Sequence, residues 1–182
     1  MEADLEPAAD HAAEDETPRA ASTQVASLLE RFPEARFLER SYASSATRYT
    51  MVEVPNEDWV AFAEAAKDSG FDTFIDLAAV DHYTDAPRFE VAVNLLDIAT
   101  AQRIIVSTRL PYDDPSLPTL TGVFAGANFY EREAYDLIGI DFTGHPDLTR
   151  ILLPDEWEGH PLRKDYDVGA IPVEFKAGSV NL

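Results

Sequence analysis

Phe71-Asp72-Thr73-Phe74-Ile75-Asp76-Leu77-Ala78-Ala79 is followed by Phe89-Glu90-Val91-Ala92-Val93-Asn94-Leu95 and then by Ile104-Ile105-Val106-Ser107-Thr108-Arg109-Leu110. Phe71, Thr73, Ile75, Leu77 and Ala79 alternate with mostly polar residues. Phe89, Val91, Val93 and Leu95 do so more cleanly, and Ile104, Val106, Thr108 and Leu110 repeat the pattern. An apolar residue at every second position marks a strand with one buried and one wet face. The loops between, around Thr84-Asp85-Ala86-Pro87 and from Asp97 to Gln102, are short. Short loops join antiparallel neighbours, because a parallel crossover needs about a dozen residues or more. The reading is an antiparallel sheet backed by helices, an α+β architecture.

Upstream lie the helices that back it. Val25, Leu28, Leu29 and Phe32 recur at helical spacing, with Ser22 or Thr23 as N-cap and Pro33 as the stop. Short extended stretches follow near Ala35–Arg40 and Arg48–Val54. Asn56 reads as the N-cap of a second helix whose Trp59, Phe62, Ala63 and Ala66 form a core-facing stripe, and Gly70 sits at its end. A third helix is expected from Asn128 to Ile138, closed by Gly139. Pro111, Pro115 and Pro118 make the connection before it rigid and irregular. Beyond Asp141, Pro146, Pro154, Pro161 and Pro172 forbid long regular elements, yet Phe142, Leu148, Ile151, Leu152, Leu153 and Trp157 keep the region apolar. A long irregular extension of this kind is expected to wrap over a partner. The expected organisation is an acidic disordered tail (1–20), an α+β domain (21–142) and a partner-wrapping C-terminal segment (143–182).

Composition narrows the function. The 182 residues carry a formal net charge of -20, which disfavours nucleic acid and anionic membrane as partners. Seven acids precede the first basic residue, Arg19, so part of that charge belongs to the tail. There is no cysteine, which excludes disulfides, a thiol nucleophile and the usual thiolate ligation of zinc or iron–sulfur clusters. No stretch is apolar enough to span a bilayer, and the start lacks the features of a signal peptide, so a cytoplasmic location with membrane association only through a partner is expected. Neither a Gly-Lys-Ser/Thr phosphate loop nor a Gly-x-Ser-x-Gly elbow occurs.

The remaining chemistry clusters late in the chain. Glu133 and Asp136 share a helix face, but Arg132 lies four residues from Asp136, and ion pairing is the simpler reading than acid–base work. His145 and His160 each stand in Gly-His-Pro, a spacing that matches no compact metal motif. Turns in which the rings bond backbone are the simpler reading, with a metal-dependent hydrolase as the rival. Pro161-Leu162-Arg163-Lys164-Asp165-Tyr166 concentrates positive charge in an acidic chain, either as an internal clamp onto Glu131 or Glu133 or as a partner contact.

The run Glu131-Arg132-Glu133-Ala134-Tyr135-Asp136-Leu137-Ile138-Gly139-Ile140-Asp141-Phe142-Thr143-Gly144-His145-Pro146-Asp147-Leu148 carries the decisive resemblance. It continues through Arg150-Ile151-Leu152 and Trp157-Glu158-Gly159-His160-Pro161-Leu162-Arg163-Lys164-Asp165-Tyr166. Together these resemble the signature of the thirty-kilodalton subunit family of type I NADH:quinone dehydrogenase, respiratory complex I. The match departs at Phe124 and Phe129, where a tryptophan is common nearby, at Thr149, where an arginine is usual, and at Asp167, where proline often follows the tyrosine. The resemblance implies a peripheral-arm subunit without catalytic, cofactor or metal residues of its own, with FMN and iron–sulfur clusters in partner subunits. It also implies that the neighbouring quinone-site subunit is the main partner and that the chain sits peripherally on the cytoplasmic side of the cell membrane. The homologous subunit of a membrane-bound hydrogenase or a deazaflavin-dependent dehydrogenase is the alternative. The residues singled out as partner interface or family signature are Glu131, Arg132, Glu133, Asp136, Gly144, His145, Pro146, Arg150, Trp157, Gly159, His160, Pro161, Arg163, Lys164, Asp165 and Tyr166.

Overall fold

The computed structural model describes residues 22–41 and 48–167. The acidic tail expected over 1–20 and the last part of the extension, 168–182, lie outside the described residues. The elements run α1 (Thr23–Arg31), β1 (Arg36–Ser41), β2 (Arg48–Glu53), a 3-10 turn (Asn56–Asp58), α2 (Trp59–Asp68), β3 (Thr73–Asp81), β4 (Phe89–Asp97), β5 (Gln102–Leu110), β6 (Ser116–Pro118), α3 (Ala127–Ile138) and β7 (Asp141–Thr143).

Five strands form one sheet in the order β1-β2-β5-β4-β3. The consecutive pairs β1–β2, β3–β4 and β4–β5 are antiparallel, as their short loops require. The sheet is nevertheless mixed, which corrects the antiparallel reading: β2 lies parallel to β5, with Val52 opposite Val106. Loop length governs neighbours in sequence. This pair is joined through α2, β3 and β4, ample chain for a parallel crossover. A second parallel pair, β6 with β7, stands where only irregular chain was expected.

One face of the sheet carries Val52, Ile104, Val106, Leu110, Phe89, Val91, Val93, Leu95 and Leu77, all buried. Fully burying each such side chain contributes roughly 1.5–3 kcal/mol, which is why the alternation holds its register. In β3 Leu77 and Ala79 keep the expected phase, but the start of the strand does not. The register shifts between Phe74 and Asp76, leaving Ile75 without a partner on β4 and placing Phe74 opposite Leu95. Phe74, not Ile75 or Thr73, therefore packs on the core, against Phe124 and Tyr130 at ring distances of 5.9 and 5.5 Å. The opposite face, with Met51, Ile105, Ala92 and Asn94, is only half-buried.

The helices fill the buried side. Ser22 caps α1 by accepting the Val25 N–H at 3.4 Å. Trp59, Phe62, Ala63 and Ala66 of α2 are all buried, and Phe62 meets Phe32 at 5.1 Å. Asn56 is not the cap of α2: it opens the 3-10 turn, and its side chain lies 2.6 Å from the Thr108 hydroxyl. Its polar group is drawn to the sheet rather than to the helix amides. α3 begins one residue earlier than expected and ends on Gly139, whose φ of +81° is the left-handed cap that glycine adopts freely.

Candidate functional site

The C-terminal segment from Gly144 to Asp167 has no helix or strand, yet its backbone is held at named points on α3 and on the β3–β4 hairpin. Its organiser is Asp136. This fully buried carboxylate accepts the N–H groups of Ile151, Leu152 and Leu153 at 3.0, 2.8 and 3.0 Å on one oxygen and Arg150 at 2.7 Å on the other. Burial alone would raise its pKa. The three amides and the Arg150 cation outweigh it and bring the carboxyl down to about 2. Arg150 directs its other nitrogen to the carbonyls of Trp157 and Gly159, at 2.9 and 3.1 Å. One acid and one arginine thus set the path of the chain from 150 to 159.

The same segment caps α3. The last carbonyls of a helix have no partner within it. Here His160 Nδ1 donates to the Asp136 carbonyl (3.0 Å), the Leu162 N–H to Leu137 (2.9 Å), and Arg163 to Ile138 (2.6 Å) and Gly139 (3.3 Å). Two guanidiniums, Arg150 and Arg163, therefore sit at the negative end of the helix dipole. Partial burial, followed by the nearby Arg163 and Arg150 charges, pushes the His160 imidazole below its ordinary range. Gly139 allows this approach: a Cβ there would fall 2.5 Å from the His160 ring.

A second clamp lies at the end of the sheet. Arg88 makes two bonds to Asp81 (2.8 and 2.7 Å) and two to Asp165 (2.9 and 2.7 Å). The Lys164 N–H also reaches Asp81 at 2.7 Å. The guanidinium is surrounded by Tyr83, Phe89 and Tyr112, with ring centroids at 5.6, 5.1 and 4.8 Å. Hydrogen bonding to Arg88, with the backbone amides, holds Asp81 far below the usual carboxylate range, and Arg88 lowers Asp165 as well.

Most of the residues singled out in the sequence meet here, with different partners. Arg132 does not pair with Asp136; it donates to the Thr149 and Arg150 carbonyls and the Thr149 hydroxyl. Glu133 is exposed while Asp136 is buried, so they form no paired-carboxylate site. Arg163 and Lys164 do not clamp Glu131 or Glu133. Glu131 is buried and bonded instead to the Leu120 N–H at 2.6 Å and the Thr119 hydroxyl. His145 and His160 bond backbone, as turn residues do, and among the described residues no group of three or more His, Cys, Asp or Glu side chains could hold a metal. Gly144 and Gly159 take positive φ, and Gly159 lies under the Tyr166 ring, whose hydroxyl donates to Glu158. Pro146 is exposed; Pro161 and Trp157 are half-buried. Arg88 and Asp81 escaped the sequence reading. The signal was present: Asp81 falls in the core-facing phase of β3, opposite Phe89, where an acid requires a buried cation.

Around these clamps Ile151, Leu152 and Leu162 remain exposed, Leu152 at 60% and Leu162 at 57%. Among the described residues no helix is long and apolar enough to cross a membrane.

A family model described as the respiratory-chain NADH dehydrogenase 30 kDa subunit matches residues 52–171, which takes in both clamps and most of the sheet. The chain belongs to this family. Among its relatives is the NADH-quinone oxidoreductase C subunit of Roseiflexus sp. (strain RS-1), 48% identical over 105 residues, 58% of this chain and 60% of that one. Another is the C subunit of the same oxidoreductase from Mycolicibacterium gilvum (strain PYR-GCK), 40% identical over 133 residues, 71% of this chain and 59% of that one. The match thus spans about 60% of the length of these relatives. Among solved structures, a trypsin-resistant fragment of Nqo5 superposes with a TM-score of 0.61 at 31% identity, covering 69% of this chain and all of that one. A chain of the membrane-bound sulfane sulfur reductase, an archaeal respiratory membrane complex, gives 0.68 at 26% identity, covering 79% of this chain and 84% of that one.

Proposed function

We propose that this chain is the 30 kDa-type scaffold subunit of a proton-pumping NADH:quinone oxidoreductase. It holds no flavin, cluster or metal, and FMN and iron–sulfur clusters reside in partner subunits. It sits on the cytoplasmic side of the cell membrane and reaches the membrane only through its partners. Its docking element is the segment 143–182, laid on the neighbouring quinone-site subunit.

The observation that carries this reading is the clamped segment. Asp136, Arg150 and Arg88 fix an irregular backbone while Leu152 and Leu162 point outward. A segment already fixed loses less conformational entropy on docking, and outward leucines supply apolar surface to bury. The lack of cysteine accords with a scaffold role.

Purification of the tagged chain from its own membranes tests the proposal. The expected result is copurification with flavin- and cluster-bearing subunits and NADH-driven quinone reduction. The fold match to the sulfane sulfur reductase chain supports a second reading, the equivalent subunit of a related membrane complex. Companions that include a cluster-bearing subunit but no flavin-bearing NADH module would favour that reading. Recovery of the chain alone from intact membranes would defeat both.

A further inference from the structure

The ring of His145 is fixed in one tautomer. Its Nδ1 accepts the Asp147 N–H at 3.0 Å and so carries no proton. The proton is on Nε2, which donates to the Asn128 carbonyl at 3.2 Å. A second acceptor lies close by, the Glu131 carboxyl oxygen at 3.9 Å, and both side chains are fully buried. Glu131 has two neutral donors, the Thr119 hydroxyl and the Leu120 N–H, and no Lys or Arg partner among the described residues.

Among the described residues no Lys or Arg side chain bonds Glu131. The loop between β6 and α3 presents Thr119 and Thr121, which bond each other. On α3, Arg132 turns away to Thr149 and Arg150, and Asp136 is occupied by the backbone of 151–153. From β3 it is Phe74 that packs on α3. The turn after β7 contributes His145. A buried carboxylate without a cation is costly, and the nearest hydrogen able to relieve it is the Nε2–H of His145.

We propose that Glu131 is a proton-binding switch: with its carboxyl protonated, the His145 Nε2–H stays on the Asn128 carbonyl, and with the carboxyl ionised, it turns to Glu131. The ring's other nitrogen holds Asp147, so the turn Phe142–Asp147, where the C-terminal segment begins, moves with the proton. Burial places the carboxyl in a range where this occurs near neutrality, raising it to about 7. The switch needs no partner chain and stands independently of the proposed docking role.

The test is a titration of the full chain, labelled for NMR at glutamate and histidine, from about pH 5.5 to 8.5. One transition is expected, shared by the Glu131 carboxyl carbon, the His145 Nε2–H and the Asp147 amide. In Glu131→Gln the His145 and Asp147 signals should no longer move. Three results would overturn the proposal: His145 becoming imidazolium in this range, a Glu131 carboxyl that does not change, or a carboxyl that titrates while His145 and Asp147 stay still. If Glu131→Gln fails to fold, the wild-type titration decides by itself.

Discussion

Arg88 and Asp165, 77 positions apart, meet through two parallel hydrogen bonds of 2.9 and 2.7 Å. The same guanidinium binds Asp81, whose side chain is almost wholly buried, while the Asp165 side chain remains 37% exposed. The two halves of this bridge therefore differ in energy. Asp165→Asn should cost at most about 1 kcal/mol, because a half-exposed pair is screened. Arg88→Met should cost roughly 3–5 kcal/mol, because it leaves Asp81 as an unpaired buried charge. Denaturant unfolding of both variants measures the difference. Equal losses would mean that the Asp81 arm adds nothing to the Asp165 arm.

Asp136 should govern the order of the C-terminal segment. Its carboxyl is depressed to about 2, below its ordinary 3.8. A depressed acid contributes stability above its unfolded pKa and loses it as pH falls through its folded one. The contribution, about 2 kcal/mol from that shift, should be complete above about pH 4 and gone near pH 2. In Asp136→Asn the amides of Ile151, Leu152 and Leu153 should exchange with solvent much faster at neutral pH, while strands β4 and β5 stay protected. Unchanged exchange at the three amides would remove Asp136 as the organiser.

What could be read in the chain follows the range of each signal. The alternation of Phe89–Leu95 and Ile104–Leu110 marked strands because one sheet face is buried throughout. The β2–β5 pairing left no local trace, since nothing in either strand encodes a neighbour about fifty residues away. The bulge at Ile75 was hidden because Phe74 and Ile75 are both apolar and either phase looks acceptable. Helical spacing suggested Arg132 for Asp136, yet the partner is Arg150, beyond the helix and past a glycine turn. The cluster of special residues was legible as a family signature. Its wiring was not, because hydrogen bonds between irregular segments have no period.

Glu131 should give an unusual pH profile. Its folded pKa, about 7, lies above the ordinary 4.5. Below about pH 4 the group is protonated in both states and costs nothing. As pH rises from about 4.5 to 7 the unfolded chain releases the proton and the folded chain keeps it, so the native state loses stability, by up to about 3 kcal/mol. Glu131→Gln lacks this loss. Wild type minus variant, measured by denaturation between about pH 4.5 and 8, should grow steadily more unfavourable to the wild type and level off above pH 7. A difference independent of pH would mean that the buried carboxyl ionises at its ordinary value.

The last prediction separates docking from folding within one short stretch. The sequence alone groups Arg163 with Lys164, either as an internal clamp or as a partner-facing pair. In the structure Arg163 donates to the Ile138 and Gly139 carbonyls and lies 5.1 Å from the Phe89 ring, whereas the Lys164 residue is exposed and binds Asp81 through its backbone N–H. Arg163→Glu should therefore lower the melting temperature of the isolated chain, since it uncaps α3 and places an acid at the negative end of the dipole. Lys164→Glu should leave melting within the small range typical of surface changes, about 0.5 kcal/mol. Leu152→Asp should also be silent in the isolated chain, because its side chain is 60% exposed, yet should reduce recovery of the assembled complex from membranes by burying a charge at the contact. If Leu152→Asp melts early, the leucine belongs to this chain's own packing. If it melts normally and assembles normally, the partner lies on another face.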